Sequence, residues 1–179
     1  YASEHQRIVF NGNGYSDEWV EEAERRGLPN IKTMVDSIPV LTEEKTVQLF
    51  EKFGVFTRAE LESRAEIQYE AYSKAINIEA RSMVDIASKH IIPSVLQYTT
   101  ALATSINQIR SACAEANISV QIELLKDCSS LLAATKAALK ALNEVTEKAA
   151  ATTEGRERAV YILENVVPAM EALRQPVDK

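Results

Sequence analysis

The sequence predicts an all-α fold, and three observations support this. No glycine occurs between Gly54 and Gly155, and that interval holds a single proline, Pro93. The interval is rich in Ala, Leu, Glu, Lys and Gln, which are strong helix formers. Its apolar residues also recur every three or four positions, the spacing of one face of an α-helix. We therefore expect an antiparallel bundle of three or four long helices, kinked at prolines.

The first part of the chain, residues 1–56, is expected to be a junction segment with a short strand or turn and two short helices. Ile8 and Phe10 alternate with polar neighbours, a pattern typical of a strand. Ser16 precedes acidic residues and is predicted to cap the first short helix, which Gly27 ends. Thr42 is predicted to cap the second.

The second part, residues 57–179, is expected to be the helix bundle, within one compact domain that is a fragment of a longer protein. Its first helix begins with Thr57 and Glu60, which have the spacing of a capping box. The predicted inward face of this helix consists of Leu61, Ala65, Tyr69, Tyr72, Ile76, Ala80, Met83, Ala87 and His90. Pro93 predicts a kink or break, because proline lacks a backbone donor.

Two further long helices are predicted after this one. The first runs from about Ser119 to about Ala151. The second starts near Thr153, has a kink at Pro168 and ends at Pro176. Each has apolar residues on one face only, so the helices must pack together to bury them.

Composition argues against several classes of partner. The formal net charge is −6 and no basic block occurs, so nucleic acid is not expected to bind. No apolar run approaches the roughly 20 residues that span a bilayer, so we expect no membrane partner. We expect a cytoplasmic protein.

The stretch FNGNGYSDEW, residues 10–19, has the composition of a ligand-binding loop. A dinucleotide fingerprint starting at Gly12 would require glycine where the chain has Asp17, and no Gly-Lys-Ser/Thr sequence is present. A turn that precedes a helix explains the stretch. The candidate binding residues of this loop are Asn11, Asn13 and Ser16; we predict no catalytic, cofactor-binding or metal-binding residue elsewhere.

Two other constellations suggest chemistry. A cluster of glutamates on the long helix suggests a di-iron site: Glu60, Glu62, Glu66 and Glu70. Such a site needs a histidine three positions after a glutamate. Neither His5 nor His90 has a glutamate three positions before it, which favours a solvated acidic face. His90 is an alternative candidate as a phosphoryl carrier, although its place beside Pro93 favours a partly buried packing residue.

Three segments carry a resemblance to a known family: HQRIVFNGNGYSDEWVEEAERRGLPNI, FGVFTRAELESRAEIQYEAYSKAINIEA and HIIPSVLQY. They resemble the C-terminal region of type III glutamine synthetases. The most specific parts are FNGNGYSDEW, RRGLPN, ELESR and YSKAINIEA. After about residue 118 the likeness is mainly one of helical character and length.

The resemblance implies a parent enzyme that joins ammonia to glutamate with ATP and Mg or Mn, through a phosphorylated intermediate. The family's catalytic and metal residues lie upstream, so none is carried over here, and the isolated chain is expected to be inactive and without a cofactor. The implied partners are the catalytic core and neighbouring subunits of a homo-oligomer, a dodecamer in this family.

Two alternatives to a structural role remain open. The bundle could bind a regulator or act in signalling, with His90 as the phosphocarrier. The loop from Asn11 to Ser16 could also take part directly in the active site of the parent enzyme.

Overall fold

The computed structural model describes residues 3–179 and is all-α, as predicted; no strand forms within these residues. None of the described helices is long and apolar enough to cross a bilayer. The α-helices are α1 (Asp17–Arg25), α2 (Met34–Ser37), α3 (Glu44–Lys52), α4 (Arg58–Ile86), α5 (Ile92–Ala112), α6 (Ser119–Ala151), α7 (Arg156–Tyr161) and α8 (Val167–Val177). Short 3₁₀ helices cover Gln6–Ile8 and Ile38–Thr42, and π turns cover Ala87–Ile91 and Ile162–Val166.

The strand predicted at Ile8 and Phe10 is wrong. The backbone instead turns through the 3₁₀ helix, and the side chain of Arg26 explains why. Its Nη1 donates to the carbonyl oxygens of Gln6 (3.0 Å) and Val9 (2.7 Å), among others. A guanidinium therefore occupies carbonyl groups that a strand would offer to a neighbouring strand.

The junction segment contains three short α-helices where two were predicted, because α2 was missed. The two predicted side-chain caps also differ from expectation. Ser16 lies at the N-cap of α1, but its Oγ donates to the carbonyl of Asn13 at 2.8 Å. Thr42 donates to the carbonyl of Pro39 at 3.1 Å, and α3 begins after Glu43. In both cases a carbonyl three residues before the hydroxyl competes with the helix terminus.

The long helix begins as predicted. Thr57 Oγ1 accepts from the amide of Glu60, and Glu60 Oε2 accepts from the amide of Thr57 at 2.8 Å. The helix then runs without a break to Ala112, because the π turn between α4 and α5 places Pro93 in the first turn of α5. A proline needs no amide partner there, so the chain remains helical.

A π turn also precedes a proline in the last helix. A kink was predicted at Pro168; the second π turn places this proline in the first turn of α8, and the chain remains helical. The helix starts at Arg156, after Gly155, rather than near Thr153. It continues one residue past Pro176, so the predicted end is displaced only slightly.

The bundle core lies between α4, α6 and the α7–α8 rod. Its buried residues are Ala80, Ala87, Leu139, Leu142, Ala149, Ile162, Val166 and Leu173. A second cluster joins the junction segment to α4 and α7 and contains Val35, Ile38, Ala65, Tyr69 and Ala159. These clusters confirm the predicted inward face of α4 from Ala65 to Ala87, whereas His90, predicted on the same face, is exposed. The second cluster also joins residues before position 57 to the bundle.

The other half of the long rod extends beyond this core. α5 contains no buried residue, and its main neighbours are α6 and the π turn that precedes it. α5 and the first part of α6 are connected by the turn at 113–118, so they form an antiparallel pair. We call residues 92–131 the hairpin.

Candidate functional site

The candidate loop is a closed turn held by its own side chains. Asn13 Oδ1 accepts from the amide of Tyr15 at 3.0 Å, and the carbonyl of Asn13 accepts from Ser16 Oγ at 2.8 Å. Neither Gly12 nor Gly14 has a positive φ, so the turn depends on the asparagine side chain and not on glycine geometry. Two of the three candidate binding residues are thus bonded to each other.

An aromatic pair fixes the loop against α1. The rings of Phe10 and Trp19 lie 4.5 Å apart between centroids, and the guanidinium of Arg26 lies 5.7 Å from the Trp19 ring. A Cβ atom at Gly12 would come within 2.7 Å of the Phe10 ring. Glycine at position 12 therefore lets the Phe10 ring pack closely. Close packing, and not a turn conformation, explains the glycine at this position.

Two arginines join the loop to the end of α1. Arg7 Nε donates to the carbonyl of Arg26 at 2.7 Å, and its Nη2 donates to the carbonyl of Gly27. Arg26 donates in return to three carbonyls of the first described turn. Carbonyl oxygens at the end of a helix lack partners in the helix, and a guanidinium satisfies several at once.

Glu22 completes this junction. Its carboxylate accepts from Arg25 Nε at 2.7 Å and also from Arg26 Nε. These hydrogen bonds, with that from Arg25 the stronger cause, lower the pKa of Glu22 below the ordinary value of 4.5. Glu22 is therefore ionised at neutral pH and neutralises part of the arginine charge.

Asn11 lies on a cavity of about 490 Å³ formed by this junction, with Gln6, Arg7, Val9, Glu22, Arg25 and Arg26. Of the guanidinium groups on this cavity, those of Arg7 and Arg26 are engaged by backbone carbonyls, and Glu22 engages those of Arg25 and Arg26. The arrangement therefore stabilises a turn and offers an incoming anion few free donors. Sequence reasoning missed Arg7. It paired Arg26 with Glu22 by their spacing of four residues on α1, but it missed the hydrogen bonds of Arg26 to the carbonyls of the first described turn.

The remaining candidates lie apart from this junction. His90 is exposed within the π turn, so the prediction of a partly buried packing residue is wrong. In the described residues, no three His, Cys, Asp or Glu side chains come together as a possible metal site.

An exposed apolar stripe lies on the outer face of α4. Ile67, Ile78 and Ile86 are 60%, 65% and 51% exposed. Ile67 and Ile78 are eleven residues apart, close to three turns, so they share one side of the helix. Ile86 comes eight residues after Ile78, which turns it about 80° away, and it lies on a cavity with Leu173 and Val177 of α8. Buried residues of α4 occupy the other side, where they face the core.

Comparison with known proteins identifies the family. A family model described as the glutamine synthetase C-terminal domain matches residues 1–110, which include the loop, the arginine junction and nearly all of the α4–α5 rod. The chain belongs to this family. The match confirms the resemblance that the three sequence segments carry.

Individual relatives agree with this assignment. A glutamine synthetase of Butyrivibrio fibrisolvens is 38% identical over 98% of the chain and 25% of that protein's length. A type-3 glutamine synthetase of Dictyostelium discoideum is 40% identical over 59% of the chain and 14% of its own length. A third, from Bacteroides fragilis, is 30% identical over 96% and 24%. The chain spans at most about a quarter of these relatives.

Proposed function

We propose that the chain is a noncatalytic domain that organises a type III glutamine synthetase by docking on its catalytic core and on neighbouring subunits. In this proposal the parent enzyme joins ammonia to glutamate, and its ATP and Mg or Mn are held by the rest of the protein. The isolated chain has no glutamine synthetase activity. Family membership over 1–110 is the observation that supports this role most strongly.

The exposed isoleucines of α4 support docking. Ile67 and Ile78 expose two β-branched apolar side chains on one side of α4, which we call the α4 ridge, and burial against a partner removes this apolar area from water. The relatives extend well beyond the length of this chain, so the catalytic core is the occupant we propose for this face. We also propose that the loop with Asn11, Asn13 and Ser16 contacts the catalytic core, since Tyr15 at the tip of the loop is fully exposed.

The proposal also covers the assembly and its setting. We propose a cytoplasmic homo-oligomer, a dodecamer as the family likeness implies, without nucleic-acid or membrane partners. The net charge of −6 supports the exclusion of nucleic acid.

The docking role is tested in the full-length enzyme that carries this domain. Ile67→Glu and Ile78→Glu place charges on the α4 ridge, and Ala141→Glu places one on an exposed site of α6 as the control. We expect the ridge variants to weaken docking at least about tenfold, so that assembly mass and activity fall together. Normal assembly and activity in both ridge variants would contradict the proposal.

A further inference from the structure

We propose that the hairpin, residues 92–131, is a surface that pairs with the hairpin of a second copy of this chain. The inference deepens the assembly role proposed above and rests on it for its biological meaning. Its physical basis is separate, because it concerns α5 and the first part of α6 and not the α4 ridge. Four features of the hairpin carry the argument.

The first feature is a gap in charge. Residues 90–109 contain no Asp, Glu, Lys or Arg, although 26% of the chain is charged. At that frequency, 20 surface positions would carry about five charges. Charged residues are depleted at the centres of protein interfaces, because burying a charge is costly. An exposed helix without charge therefore has the composition of an interface.

The second feature is how the hydroxyl groups of this surface are satisfied. Thr100 Oγ1 donates to the carbonyl of Leu96 at 2.8 Å, and Thr104 Oγ1 donates to that of Thr100 at 2.9 Å. On α6, Ser129 Oγ donates to the carbonyl of Leu125 at 2.6 Å. A hydroxyl that already donates within its own helix keeps this hydrogen bond when a partner surface displaces water, so its burial costs little free energy. These polar residues can therefore be buried at low cost.

The third feature is exposed apolar area on both helices. Leu96 and Tyr98 of α5 are 50% and 48% exposed, and Val120 and Leu124 of α6 are 62% and 39% exposed. Within residues 3–179, α6 is the long helix against which α5 mainly packs. Two helices alone cannot cover all their apolar side chains, whereas four can.

The fourth feature is complementarity with a copy of itself. Two chains of net charge −6 repel each other over most of their surface, and least where that surface carries no charge. The rest of the hairpin carries two basic and three acidic residues, so its net charge is only −1: Arg110, Lys126, Glu115, Glu123 and Asp127. Pairing two hairpins about a twofold axis forms a closed four-helix unit. Twofold dimers are the commonest symmetric assemblies of soluble proteins.

The available area is sufficient for a modest dimer. α5 is about 32 Å long at roughly 1.5 Å per residue, and two adjacent helices are about 20 Å wide. Each hairpin face thus offers on the order of 650 Å², or about 1,300 Å² for the pair. Specific interfaces bury about 1,200 to 2,000 Å² in total.

The test is the molar mass of the 179-residue chain by light scattering over a wide concentration range. We expect the mass to rise from 19.9 kDa toward twice that value. Leu96→Glu and Leu124→Glu should each raise the dimer dissociation constant at least about tenfold. Ala141→Glu, at an exposed site of α6 outside the hairpin, serves as the matched control and should dimerise as the unmodified chain does.

A monomer at every concentration overturns the proposal, and so does a dimer that both hairpin variants leave intact. Circular dichroism checks that the variants remain helical. If Leu96→Glu loses helicity, Thr100→Glu replaces it, because Thr100 is exposed on the same helix. Docking on the catalytic core is measured separately with the α4 variants in the full-length enzyme, so failure of one proposal is distinguishable from failure of the other.

Discussion

At single residues, competition between nearby hydrogen-bond partners decides whether a sequence pattern predicts the observed contact. The capping box at Thr57 and Glu60 was predictable, because both partners lie within one turn and no closer acceptor competes. Ser16 occupies the predicted cap position, yet its hydroxyl bonds to Asn13. The role of Arg26 depends on residues 17 to 20 positions away, which no local pattern reveals.

Gly155 lies where the chain turns from α6 into the last helix, and its backbone requires glycine. Its φ is +83° with ψ −140°, a region that residues with a side chain rarely adopt. A Cβ atom there would also lie 2.6 Å from Glu66 Oε2. The sequence predicted the end of α6 near Ala151, but neither the role of Gly155 in the turn nor its contact with α4.

We expect Gly155→Ala to lower the free energy of unfolding by about 1 to 3 kcal/mol, because the backbone is strained and Glu66 must move. The matched control is Gly14→Ala, since Gly14 has no positive φ and no atom within 4 Å of an added Cβ. The control should stay within about 0.5 kcal/mol. Urea unfolding measures both, and equal losses in the two variants would show that the turn at Gly155 is not constrained.

Whole elements were predicted better than their boundaries and interruptions. The range of α6 was correct, since its apolar spacing is uninterrupted from Ser119 to Ala151. A kink or break at Pro93 and a kink at Pro168 were predicted, whereas the structure has a π turn before each proline and remains helical through both. A π turn contains one residue more than an α turn, and sequence spacing alone does not distinguish it from a kink.

We expect the first π turn to tolerate loss of one residue. Deletion of Ser88 combined with Pro93→Ala should let this turn close as α-helix and keep the faces of α4 and α5 in register. The loss in unfolding free energy should be at most about 2 kcal/mol.

The control for this experiment is deletion of Ala71, which is exposed in the middle of α4. This deletion rotates the following residues by about 100°, so buried Ala80 leaves the core. We expect a loss of more than about 4 kcal/mol or no folded protein. Similar losses in the two deletion variants, measured by thermal unfolding, would contradict a π turn that holds one extra residue.

At the scale of the whole molecule, the apolar periodicity predicted a bundle but not which surfaces remain open. Residues on the outside of α4 and α5 follow the same helical spacing as those inside, so periodicity does not distinguish a core from an interface. The structure separates them, because the core of α4 faces α6 and α8 while Ile67 and Ile78 face outward. The absence of charge from residues 90–109 can be read from the sequence. Its interpretation as an interface requires the structure, in which α5 contains no buried residue.

The central claim is that this domain acts through the rest of a glutamine synthetase. The most direct test mixes the 179-residue chain with a type III glutamine synthetase truncated to lack the corresponding region, and measures complex mass and glutamine formation. We predict that the chain alone forms no glutamine, binds the truncated enzyme and restores its assembly. A chain that stays unbound, beside a truncated enzyme with full assembly and activity, would contradict the claim.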